Sequence, residues 1–515
     1  MNKYALISVS DKTGIENLAV ELEKLGYTIL STSHTAEYLQ KFCRKVMPVS
    51  DLTKFPEILE GRVKTLHPLI YAGILADRNN PAHEKTLAEL KIDHIDVIAV
   101  NLYPFTEVRH KENANEQEII ENIDIGGPTL IRAGAKNYKS VAVLVDPEDY
   151  TLTLKLLKQN SILPESYSAY LAKKAFTKTS QYDLEIAAYF TEKDKELPFI
   201  SELPVQLLVS ENLNRKLRYG ENPHQNACFY ANGNPGWELL HGKELSFNNI
   251  MDIDSALRAI RVFSEPTAII VKLCNPCGIG SGETLAEAYR KAYETDTEAP
   301  FGGIVIVNRS LNLETASLIN NIFTEIIIAP AYEPGVPEFL KKKKNRRLIR
   351  YHLSLLQKPV NPIEIKTLTF GYLAQNWDLI NEPTEDWKIV TNKKTSPKEF
   401  QSLLYAWKAV SVLKSNAIAI AKEDRVLGLG CGQTSRLDAV QLALWKAKKF
   451  GHDLKDSVCA SDGFFPFRDC IETLAKHEIA AIIQPGGSKN DEDCIAACNE
   501  LGIAMLFTGV RHFRH

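Results

Sequence analysis

Short apolar runs alternate with amphipathic segments along residues 1–150. Four of the runs predict strands, at Tyr4–Val9, Tyr27–Leu30, Val97–Asn101 and Val141–Val145. Between the first two, Leu18, Leu22 and Leu25 share one face of a segment whose other face is charged, which predicts a helix over Ile15–Leu25. Strands that alternate with helices favour a mostly parallel sheet covered by helices.

A polar stretch that ends in proline, Thr191–Pro198, follows a helical region over residues 147–190. It predicts a domain boundary, because such stretches interrupt both helices and strands. Beyond it the alternation resumes, with strands predicted at Ala268–Val271, Ile304–Val307, Ile326–Ile328, Val426–Leu429, Ala480–Ile483 and Ile503–Phe507. A chain of 515 residues is too long for one hydrophobic core, so we predict two domains, residues 1–195 and 196–515.

The overall composition argues against several classes of function. Hydrophobic residues make up 44% of the chain and charged residues 24%, which is ordinary for a globular protein. The net charge of −3 creates no field that would attract nucleic acid or an anionic membrane, so an anionic ligand would have to meet local basic residues. The run Lys341–Lys344 is interpreted as a solvated connection, with electrostatic steering of an anionic ligand as the alternative.

The expected location is the cytoplasm. No apolar run approaches the roughly 18 residues that span a bilayer, and the first residues predict a strand rather than a signal peptide. Nine cysteines without the spacing of a disulfide framework favour free thiols in a reducing compartment.

Four motifs in the first domain combine charges, hydroxyl groups and turn residues. They are SDKTG at residues 10–14, GRVKTLHP at 61–68, NLYPF at 101–105 and IDIGGPTL at 123–130. The first suits a phosphate at a helix N-terminus, the second suits an anionic ligand or a developing oxyanion, and Tyr103 lies at the carboxyl end of a strand, where open α/β sheets bind ligands. The alternatives are an ordinary N-cap, surface charge, a packing tyrosine and, for Arg132 and Lys136 on the next helix, an exposed salt-bridged face.

In this order and spacing the motifs resemble one family. The chain is similar, over essentially its whole length, to the bifunctional AICAR transformylase/IMP cyclohydrolases of purine biosynthesis. The resemblance rests on SVSDKTG, GRVKTLHP, NLYPF, IDIGG, RAGAKN, LRYGENPHQ, NPCG, SNAIAIA, GQTSR, SDGFFPFRD, QPGGS and TGVRHFRH. It implies an α/β fold with an N-terminal methylglyoxal-synthase-like domain built on a parallel sheet, followed by a C-terminal pair of cytidine-deaminase-like α/β lobes.

The resemblance also implies the last two steps of de novo IMP synthesis. A formyl group passes from the cosubstrate 10-formyltetrahydrofolate to AICAR, giving FAICAR, and the purine ring then closes with loss of water to give IMP. The family works as a homodimer whose transformylase sites are built across the subunit interface. The expected ligands are therefore AICAR, FAICAR, IMP and folate, without a required metal, nucleic acid or membrane.

By the same resemblance, the cyclohydrolase site uses Lys64 to stabilise the oxyanion, and Tyr103, Asp124 and Lys136 to handle protons. The residues expected to bind the substrate there are Ser10, Lys12, Thr13, Arg62 and Thr65. One departure concerns Ser33-His34, which stands where the family usually has two glycines. Because side chains restrict positive φ and the close approach of backbone to phosphate, this departure bears on nucleotide affinity.

The transformylase site is expected to use Lys272, Asn416 and His515 for catalysis. Its expected substrate contacts are Arg218, Tyr219, Asn249, Glu325, Arg436, Phe464, Asp469 and Phe513. The family has a Lys-His pair where this chain has Lys272-Leu273, and leucine cannot act as acid or base. Either the transformylase is weakened, by a factor of roughly 10² to 10⁴, or Cys274, His515 or a water supplies the proton path.

Two further alternatives follow from these residues. The pair Cys274-x-x-Cys277 invites a zinc interpretation, but the His-x-Glu expected upstream in zinc deaminases is absent, so we predict no metal. The changes at Ser33-His34 and Leu273 also leave open a cyclohydrolase-only enzyme or a purine-nucleotide-binding regulatory homologue. The retained Lys64, Tyr103, Asp124, Lys136 and Lys272 favour an enzyme.

Overall fold

The computed structural model describes residues 2–111, 113–160, 162–193, 203, 207, 209, 211–231, 233–357, 359, 363–379 and 384–515. The chain divides into two compact units, Met1–Ser210 and Glu211–His515. The boundary predicted between residues 195 and 196 lies outside the described residues. In the described part of the chain, no helix is both long and apolar enough to cross a membrane.

The first unit is built on a five-stranded parallel sheet in the order β3-β2-β1-β4-β5. Its strands are β1 Lys3–Ser8, β2 Tyr27–Ser31, β3 Val46–Pro48, β4 Ile95–Val100 and β5 Ala142–Leu144. The four strands expected from the apolar pattern are present, and β3 escaped that pattern because its three residues are all half-buried. A parallel sheet is covered on both faces, which explains the nearly continuous apolar character of β1 and β4.

Ten α-helices surround this sheet among the described residues of the first unit. They are α1 Ile15–Lys24, α2 Ser33–Leu39, α3 Val49–Thr53, α4 Pro68–Leu75, α5 Pro81–Leu90, α6 Phe105–Arg109, α7 Glu116–Glu121, α8 Gly126–Lys136, α9 Tyr150–Asn160 and α10 Glu165–Lys193. The predicted helix over Ile15–Leu25 corresponds to α1, and the helical region over residues 147–190 corresponds to α9 and α10.

The second unit contains the remaining sixteen described strands. They are β6 Leu213–Leu217, β7 Ala227–Tyr230, β8 Trp237–His241, β9 Thr267–Lys272, β10 Asn275–Ser281, β11 Ile304–Val307, β12 Ile326–Ala329, β13 Arg347–Tyr351, β14 Glu364–Leu368, β15 Gly371–Gln375, β16 Lys388–Ile389, β17 Ile418–Lys422, β18 Arg425–Gly430, β19 Val458–Ser461, β20 Ala481–Gln484 and β21 Ala504–Phe507. Twelve of them form one sheet, in the order β16-β21-β20-β19-β17-β18-β10-β9-β11-β12-β13-β8.

The helices of this unit cover both faces of the large sheet. They are α11 Phe247–Ile260, α12 Leu285–Thr295, α13 Leu313–Asn320, α14 Val336–Lys341, α15 Ser354–Gln357, α16 Pro397–Ser411, α17 Arg436–Lys449, α18 Asp469–Ala475 and α19 Asp491–Leu501. On one face, α11 and α16 pack into a single core shared by both halves of the sheet. On the other face, α12 to α14 and α17 to α19 form two separate cores.

The large sheet consists of two halves with the same topology. In each half an antiparallel hairpin (β9–β10 or β17–β18) precedes three parallel strands, and an antiparallel strand closes the edge. The halves meet where β10 pairs with β18 through Gly280 and Arg425. These two halves are the two α/β lobes of the second unit.

Glycines allow the helix that follows each hairpin to lie directly on the strand. A methyl group added to Gly280 would come within 2.5 Å of the carbonyl oxygen of Ala288 on α12. In the other lobe, a methyl group at Gly430 would clash with the carbonyl oxygen of Ala439 on α17. Neither position needs a positive φ, so the requirement for glycine there is purely one of space.

The lysine run lies where a solvated connection was predicted. Lys341 ends α14, and the three lysines that follow are exposed before β13 begins. One of them, Lys343, donates a hydrogen bond to the carbonyl oxygen of Asn320 at 3.1 Å.

Gly430→Ala should destabilise the second unit by about 1 to 3 kcal/mol, because the new methyl group forces α17 off the strand. The measurement is the free energy of unfolding in urea. Gly371→Ala is the matched control, since no atom lies within 4 Å of the added methyl group and φ is not positive there. Equal stability of the two variants would contradict the close packing of α17 on β18.

Candidate active sites

A cleft of about 520 Å³ opens at the carboxyl ends of β1, β2 and β4 in the first unit. Seven of the predicted cyclohydrolase residues line it, namely Ser10, Lys12, Arg62, Lys64, Thr65, Tyr103 and Asp124. The carboxyl ends of parallel strands meet at one edge of a sheet, so loops that are distant in sequence converge there.

The loop after β1 is held by Asn101, which follows β4. The amide oxygen of Asn101 accepts hydrogen bonds from the backbone N–H groups of Ser10 (2.5 Å) and Asp11 (3.1 Å), and its amide nitrogen donates to the carbonyl oxygen of Asp11 at 2.8 Å. The Asp11 carboxylate accepts from the hydroxyl of Thr13 at 2.7 Å, and this bond lowers the pKa of Asp11. Thr13 therefore shapes the loop and does not line the cleft.

Lys12 is the cation of this loop. Its Nζ donates to the hydroxyl of Thr35 at 2.9 Å and to the carbonyl oxygen of Val9. Burial lowers the pKa of Lys12. Both of these hydrogen-bond acceptors are neutral, so the positive charge of Lys12 is available to attract an anion in the cleft.

The Ser33-His34 departure does not strain the backbone. Neither residue has a positive φ, and Ser33 begins α2. The backbone N–H of Ser33 donates to the carboxylate of Glu57 at 3.2 Å, and its hydroxyl donates to the same oxygen. His34 lines the cleft and is exposed. In this conformation neither position needs the positive φ that glycine allows. The imidazole of His34 forms part of the wall of the cleft.

Lys64, Tyr103 and Asp124 form the polar centre of the cleft. Lys64 Nζ donates to the Tyr103 hydroxyl at 3.4 Å. Gly61 has a φ of 87°, and a methyl group there would lie 2.6 Å from Lys64 Cε, so glycine leaves room for the lysine. The Asp124 carboxylate accepts from the backbone N–H of Gly127 at 2.8 Å. Burial raises the pKa of Asp124, although the N–H of Gly127 and the charge of Lys64 oppose that rise.

Tyr182 on α10 supports Asp124 and was missed by the sequence analysis. Its hydroxyl accepts from the backbone N–H of Asp124 at 2.8 Å and donates to the carbonyl oxygen of Asn122 at 2.8 Å. Burial raises the pKa of Tyr182 to about 12, so the phenol stays protonated. No local motif marks this tyrosine, because its partners lie nearly sixty residues earlier in the chain.

Of two further predicted residues, one pairs with a carboxylate and the other lies outside the cleft. Arg62 lines the cleft but pairs with Glu121 of α7, whose Oε2 accepts from Arg62 Nε at 3.3 Å. Lys136 is the exposed last residue of α8 and does not line the cleft. Since Asp124 lies two residues before the start of this 11-residue helix, about 15 Å of helix separates the two residues at ~1.5 Å per residue. The proton-handling role of Lys136 stays a prediction.

A second cleft, of about 440 Å³, lies in the second lobe of the second unit. Five predicted transformylase residues line it, namely Asn416, Arg436, Phe464, Asp469 and Phe513. Its wall is held by Asp462, which is fully buried, pairs with Arg436 and accepts from the backbone N–H of Ala417 at 3.0 Å. Asp462 belongs to the SDGFFPFRD motif, but the sequence analysis assigned it no role.

The C-terminal segment closes this cleft. A methyl group at Gly463 would lie 2.5 Å from Phe513 Cε1, so the phenylalanine ring lies directly against that glycine. The ring of His515 packs edge-on against Phe513, with centroids 6.0 Å apart. The backbone N–H of His512 donates to the carbonyl oxygen of Asp462 at 3.0 Å. The terminal residues therefore pack against the wall of this cleft.

A third group of predicted residues lies in the first lobe. Asn249 is the third residue of α11 and forms a reciprocal capping box with Ser246. Its Nδ2 donates to Glu325 Oε1 at 3.2 Å, and Arg347 donates to the same oxygen at 2.8 Å. Arg347, which no motif contains, thus joins the predicted contacts.

Arg218 and Tyr219 lie together in the loop that follows β6. The guanidinium of Arg218 stacks over the Tyr219 ring at 5.4 Å from its centroid. The loop is tied to α11, because Asn248 Nδ2 donates to the carbonyl oxygen of Glu221 at 3.3 Å. This bond brings the loop to the end of α11 that carries Asn249.

Lys272 ends β9, and Leu273 and Cys274 form the turn to β10. Lys272 pairs with Asn275 across the hairpin, and its Nζ donates to the carbonyl oxygen of Phe301 at 3.0 Å. Leu273 is 81% exposed and has a φ of 53°, and Cys274 has a φ of 61°. Two positive φ values are typical of the tightest β-hairpins.

The thiols of Cys274 and Cys277 are poor candidates for the proton path that was considered in place of a histidine at position 273. Burial raises the pKa of Cys274 to about 11 and that of Cys277 to about 12. Cys277 Sγ donates to the carbonyl oxygen of Ile270 at 3.5 Å. Within the described parts of the chain, no group of three His, Cys, Asp or Glu side chains is arranged to hold a metal ion.

Comparison with known proteins identifies the family to which the chain belongs. The family model described as AICARFT/IMPCHase bienzyme matches residues 134–446, and the model described as MGS-like domain matches residues 14–129. The chain belongs to the AICARFT/IMPCHase bienzyme family. These matches confirm the predicted family and the predicted α/β fold class.

Relatives from several bacteria are similar to this family member over their whole length. Proteins named bifunctional purine biosynthesis protein PurH are 46% identical over 527 residues in Caldicellulosiruptor saccharolyticus, 47% over 523 in Acetivibrio thermocellus and 46% over 521 in Lactobacillus acidophilus. In each comparison 100% of both chains is covered. The prediction of a bifunctional enzyme of purine biosynthesis is confirmed by these relatives and by the family model.

Asp124→Asn should stabilise the first unit at pH 7 by about 1 kcal/mol, although it removes an ionisable group from the cleft. Because burial raises the folded pKa of Asp124, ionisation costs stability above that pKa, and the cost disappears as pH falls toward the unfolded value of about 4. Urea unfolding between pH 7 and pH 4 measures the difference between the variant and the native chain.

Asp11→Asn provides the control of opposite sign. The pKa of Asp11 is lowered, so its carboxylate contributes stability above the unfolded pKa, and the Asn variant should be the less stable of the pair at pH 7. A gain for Asp124→Asn that does not shrink on acidification would contradict the role of the buried charge.

Proposed function

We propose that the first unit closes the purine ring of FAICAR and that its cleft is the cyclohydrolase site. The observation that supports this most directly is the convergence of Lys64, Tyr103 and Asp124 on one cleft with Lys12 at its rim. Ring closure needs an oxyanion stabiliser, a proton route and an anchor for the phosphate. Lys64 is proposed to stabilise the oxyanion, Tyr103 and Asp124 to handle protons, and Lys12 to bind the phosphate.

The chemistry of ring closure follows from the substrate. FAICAR carries a formamide beside a carboxamide, so the carboxamide nitrogen adds to the formyl carbon, and the hydroxyl group of the resulting tetrahedral intermediate then leaves as water. The cation of Lys64, 3.4 Å from the Tyr103 hydroxyl, is suited to the negative charge that develops on the formyl oxygen. Asp124, whose pKa is raised by burial, is suited to take the proton of the attacking nitrogen. Proximity does much of the rest, because both reacting groups lie on one ring.

The second unit is proposed to transfer the formyl group from 10-formyltetrahydrofolate to the amine of AICAR. The cleft lined by Arg436, Phe464 and Phe513 offers a cation beside aromatic faces, which suits a flat anionic substrate. Asn416, whose backbone N–H and side-chain Nδ2 both donate to the carbonyl oxygen of Gln433, lines the same cleft. Lys272 is proposed to stabilise the negative charge that develops on the formyl oxygen.

We propose that this second reaction runs slowly, because Leu273 leaves the amine without an adjacent base. The raised pKa of Cys274 argues against the thiolate as a substitute at neutral pH. Asn249 and Glu325, two proposed contacts for AICAR, are hydrogen-bonded to each other in the first lobe, which supports continued binding of the substrate. A cyclohydrolase that receives FAICAR from another formyltransferase is the alternative that Leu273 favours.

A second copy of the chain is the proposed partner. In the family, transformylase sites are shared between subunits, and the β14–β15 hairpin of this chain presents large apolar side chains to solvent. Phe370 is 89% exposed, and Tyr372 and Leu373 are more than half exposed. Such side chains are normally covered by another surface.

Lys64→Met should lower the rate of ring closure by about 10²- to 10³-fold, because it removes the positive charge assigned to the oxyanion. The measurement is the absorbance change when purified protein is mixed with FAICAR. Lys85→Met is the matched control, since Lys85 lies exposed on α5 outside the cleft. Failure of the native chain to convert FAICAR would favour a nucleotide-binding regulator instead of an enzyme.

Leu273→His should raise the rate of formyl transfer by about 10²-fold, because the imidazole restores a group that titrates near neutrality. Histidine also tolerates the positive φ of this position better than leucine does. The measurement is the turnover of AICAR with 10-formyltetrahydrofolate, followed across pH.

Leu273→Asn is the control, because asparagine tolerates positive φ and has no acid–base function. An equal gain in both variants would mean that backbone strain limits the native enzyme. Near-family turnover of the native chain would contradict the proposed impairment.

A further inference from the structure

The turn beside Lys272 is strained, and the side chain of its first residue, Leu273, does not hold it. Leu273 and Cys274 both have positive φ, a conformation that costs free energy for residues other than glycine. The Leu273 side chain is 81% exposed, so its packing cannot offset that cost. The surrounding structure must therefore impose the conformation.

Two side chains of α11 bind the backbone of the turn from one side. Asp252 Oδ1 accepts a hydrogen bond from the N–H of Cys274 at 2.6 Å. One helical turn later, the hydroxyl of Ser255 donates to the carbonyl oxygen of Cys274 at 2.7 Å. The N–H and the C=O of the second turn residue are thus both engaged by the same helix.

The second lobe provides an internal comparison. Its hairpin turn, Glu423-Asp424, has one positive φ, at Glu423. The residue of α16 that corresponds to Asp252 is Ser402, whose hydroxyl accepts from the N–H of Glu423 at 2.9 Å. In the second lobe one turn residue has a positive φ, and its helix binds the N–H of the first turn residue. In the first lobe both turn residues have a positive φ, and α11 binds both the N–H and the C=O of the second turn residue.

The turn has consequences beyond the first lobe. Its conformation sets the pairing of Lys272 with Asn275. Asn275 Oδ1 accepts from the backbone N–H of Lys414 at 3.3 Å, and its Nδ2 donates to Cys431 Sγ at 2.9 Å. Lys414 lies two residues before Asn416. Asn275 therefore connects the turn that carries Lys272 to the segment that carries Asn416, a second residue assigned to formyl transfer.

We propose that Asp252 and Ser255 are positioning residues of the transformylase site, which hold the Leu273–Cys274 turn in its left-handed conformation and so fix the location of Lys272. This inference rests on the proposed role of Lys272 in formyl transfer. Neither residue touches the substrate in this assignment, and both act through the backbone of the turn.

The activity test compares Asp252→Ala, Ser255→Ala and Asp252→Asn. The two alanine variants should lower the kcat of formyl transfer about 10-fold, because each loses one buried hydrogen bond to the turn. Their KM for AICAR should change less than about twofold, since the substrate contacts remain. Asp252→Asn should stay within about threefold of the native chain, because its amide oxygen still accepts from Cys274.

Asp254→Asn is the matched control, because Asp254 lies on the same helix, is exposed and pairs with Arg258 instead of the turn. Ring closure of FAICAR by each variant serves as a second control, since Asp252 and Ser255 lie outside the cyclohydrolase cleft. A loss in Asp252→Asn as large as that in Asp252→Ala would overturn the proposal, because the charge and not the hydrogen bond would then matter.

A background with Leu273→Gly and Cys274→Gly tests the strain directly, because both turn residues have a positive φ. Glycine adopts positive φ without cost, so Asp252→Ala should lower kcat by less than about threefold there. An undiminished tenfold loss in this background would overturn the proposal, because Asp252 would then act by some route other than the turn.

Amide hydrogen exchange separates failure of this inference from failure of the proposed function. If the native chain transfers no formyl group, the assignment of Lys272 fails, but exchange at residues 273–275 still reports on the turn. Faster exchange in Asp252→Ala and Ser255→Ala, with protection kept in Asp252→Asn, would support the positioning role. Equal protection in all variants would overturn it.

Discussion

In each lobe of the second unit, glycines on one central strand lie against the carbonyl oxygens of the helix that follows it. Gly280 contacts α12, and Gly430 contacts α17 in the same way. Because no side chain separates strand from helix, the axis of the helix is fixed relative to the hairpin. The start of α17 carries Arg436, and the hairpin of the other lobe carries Lys272, so the locations of both cations depend on this contact.

The two clefts use buried acids in different ways. In the first unit, Asp124 is only partly compensated by hydrogen bonds, so burial raises its pKa and favours proton exchange. In the second unit, Asp462 is fully buried, but Arg436 and the backbone N–H of Ala417 satisfy it. A compensated carboxylate fixes the wall of a site, whereas an undercompensated one suits a role as acid or base.

The Leu273 turn shows how structure and chemistry can separate within one motif. The left-handed turn is held by α11, although the leucine at its first position has no group that could transfer a proton. Leucine gains nothing from the positive φ that it adopts.

The sequence predicted four of the five strands of the first unit, the α/β class and the motifs that line both clefts, because apolar period and clustered polar residues are local properties. It did not reveal Tyr182, Arg347 or Asp252, since each acts on a partner more than twenty residues away and belongs to no recognisable motif. The lobe repeat also stayed hidden, although Gly-x-Gly-x-Gly recurs at residues 278–282 and 428–432. Only the tertiary structure decided these features, because hydrogen bonds and close backbone contacts depend on which distant segments meet, and local composition does not record that.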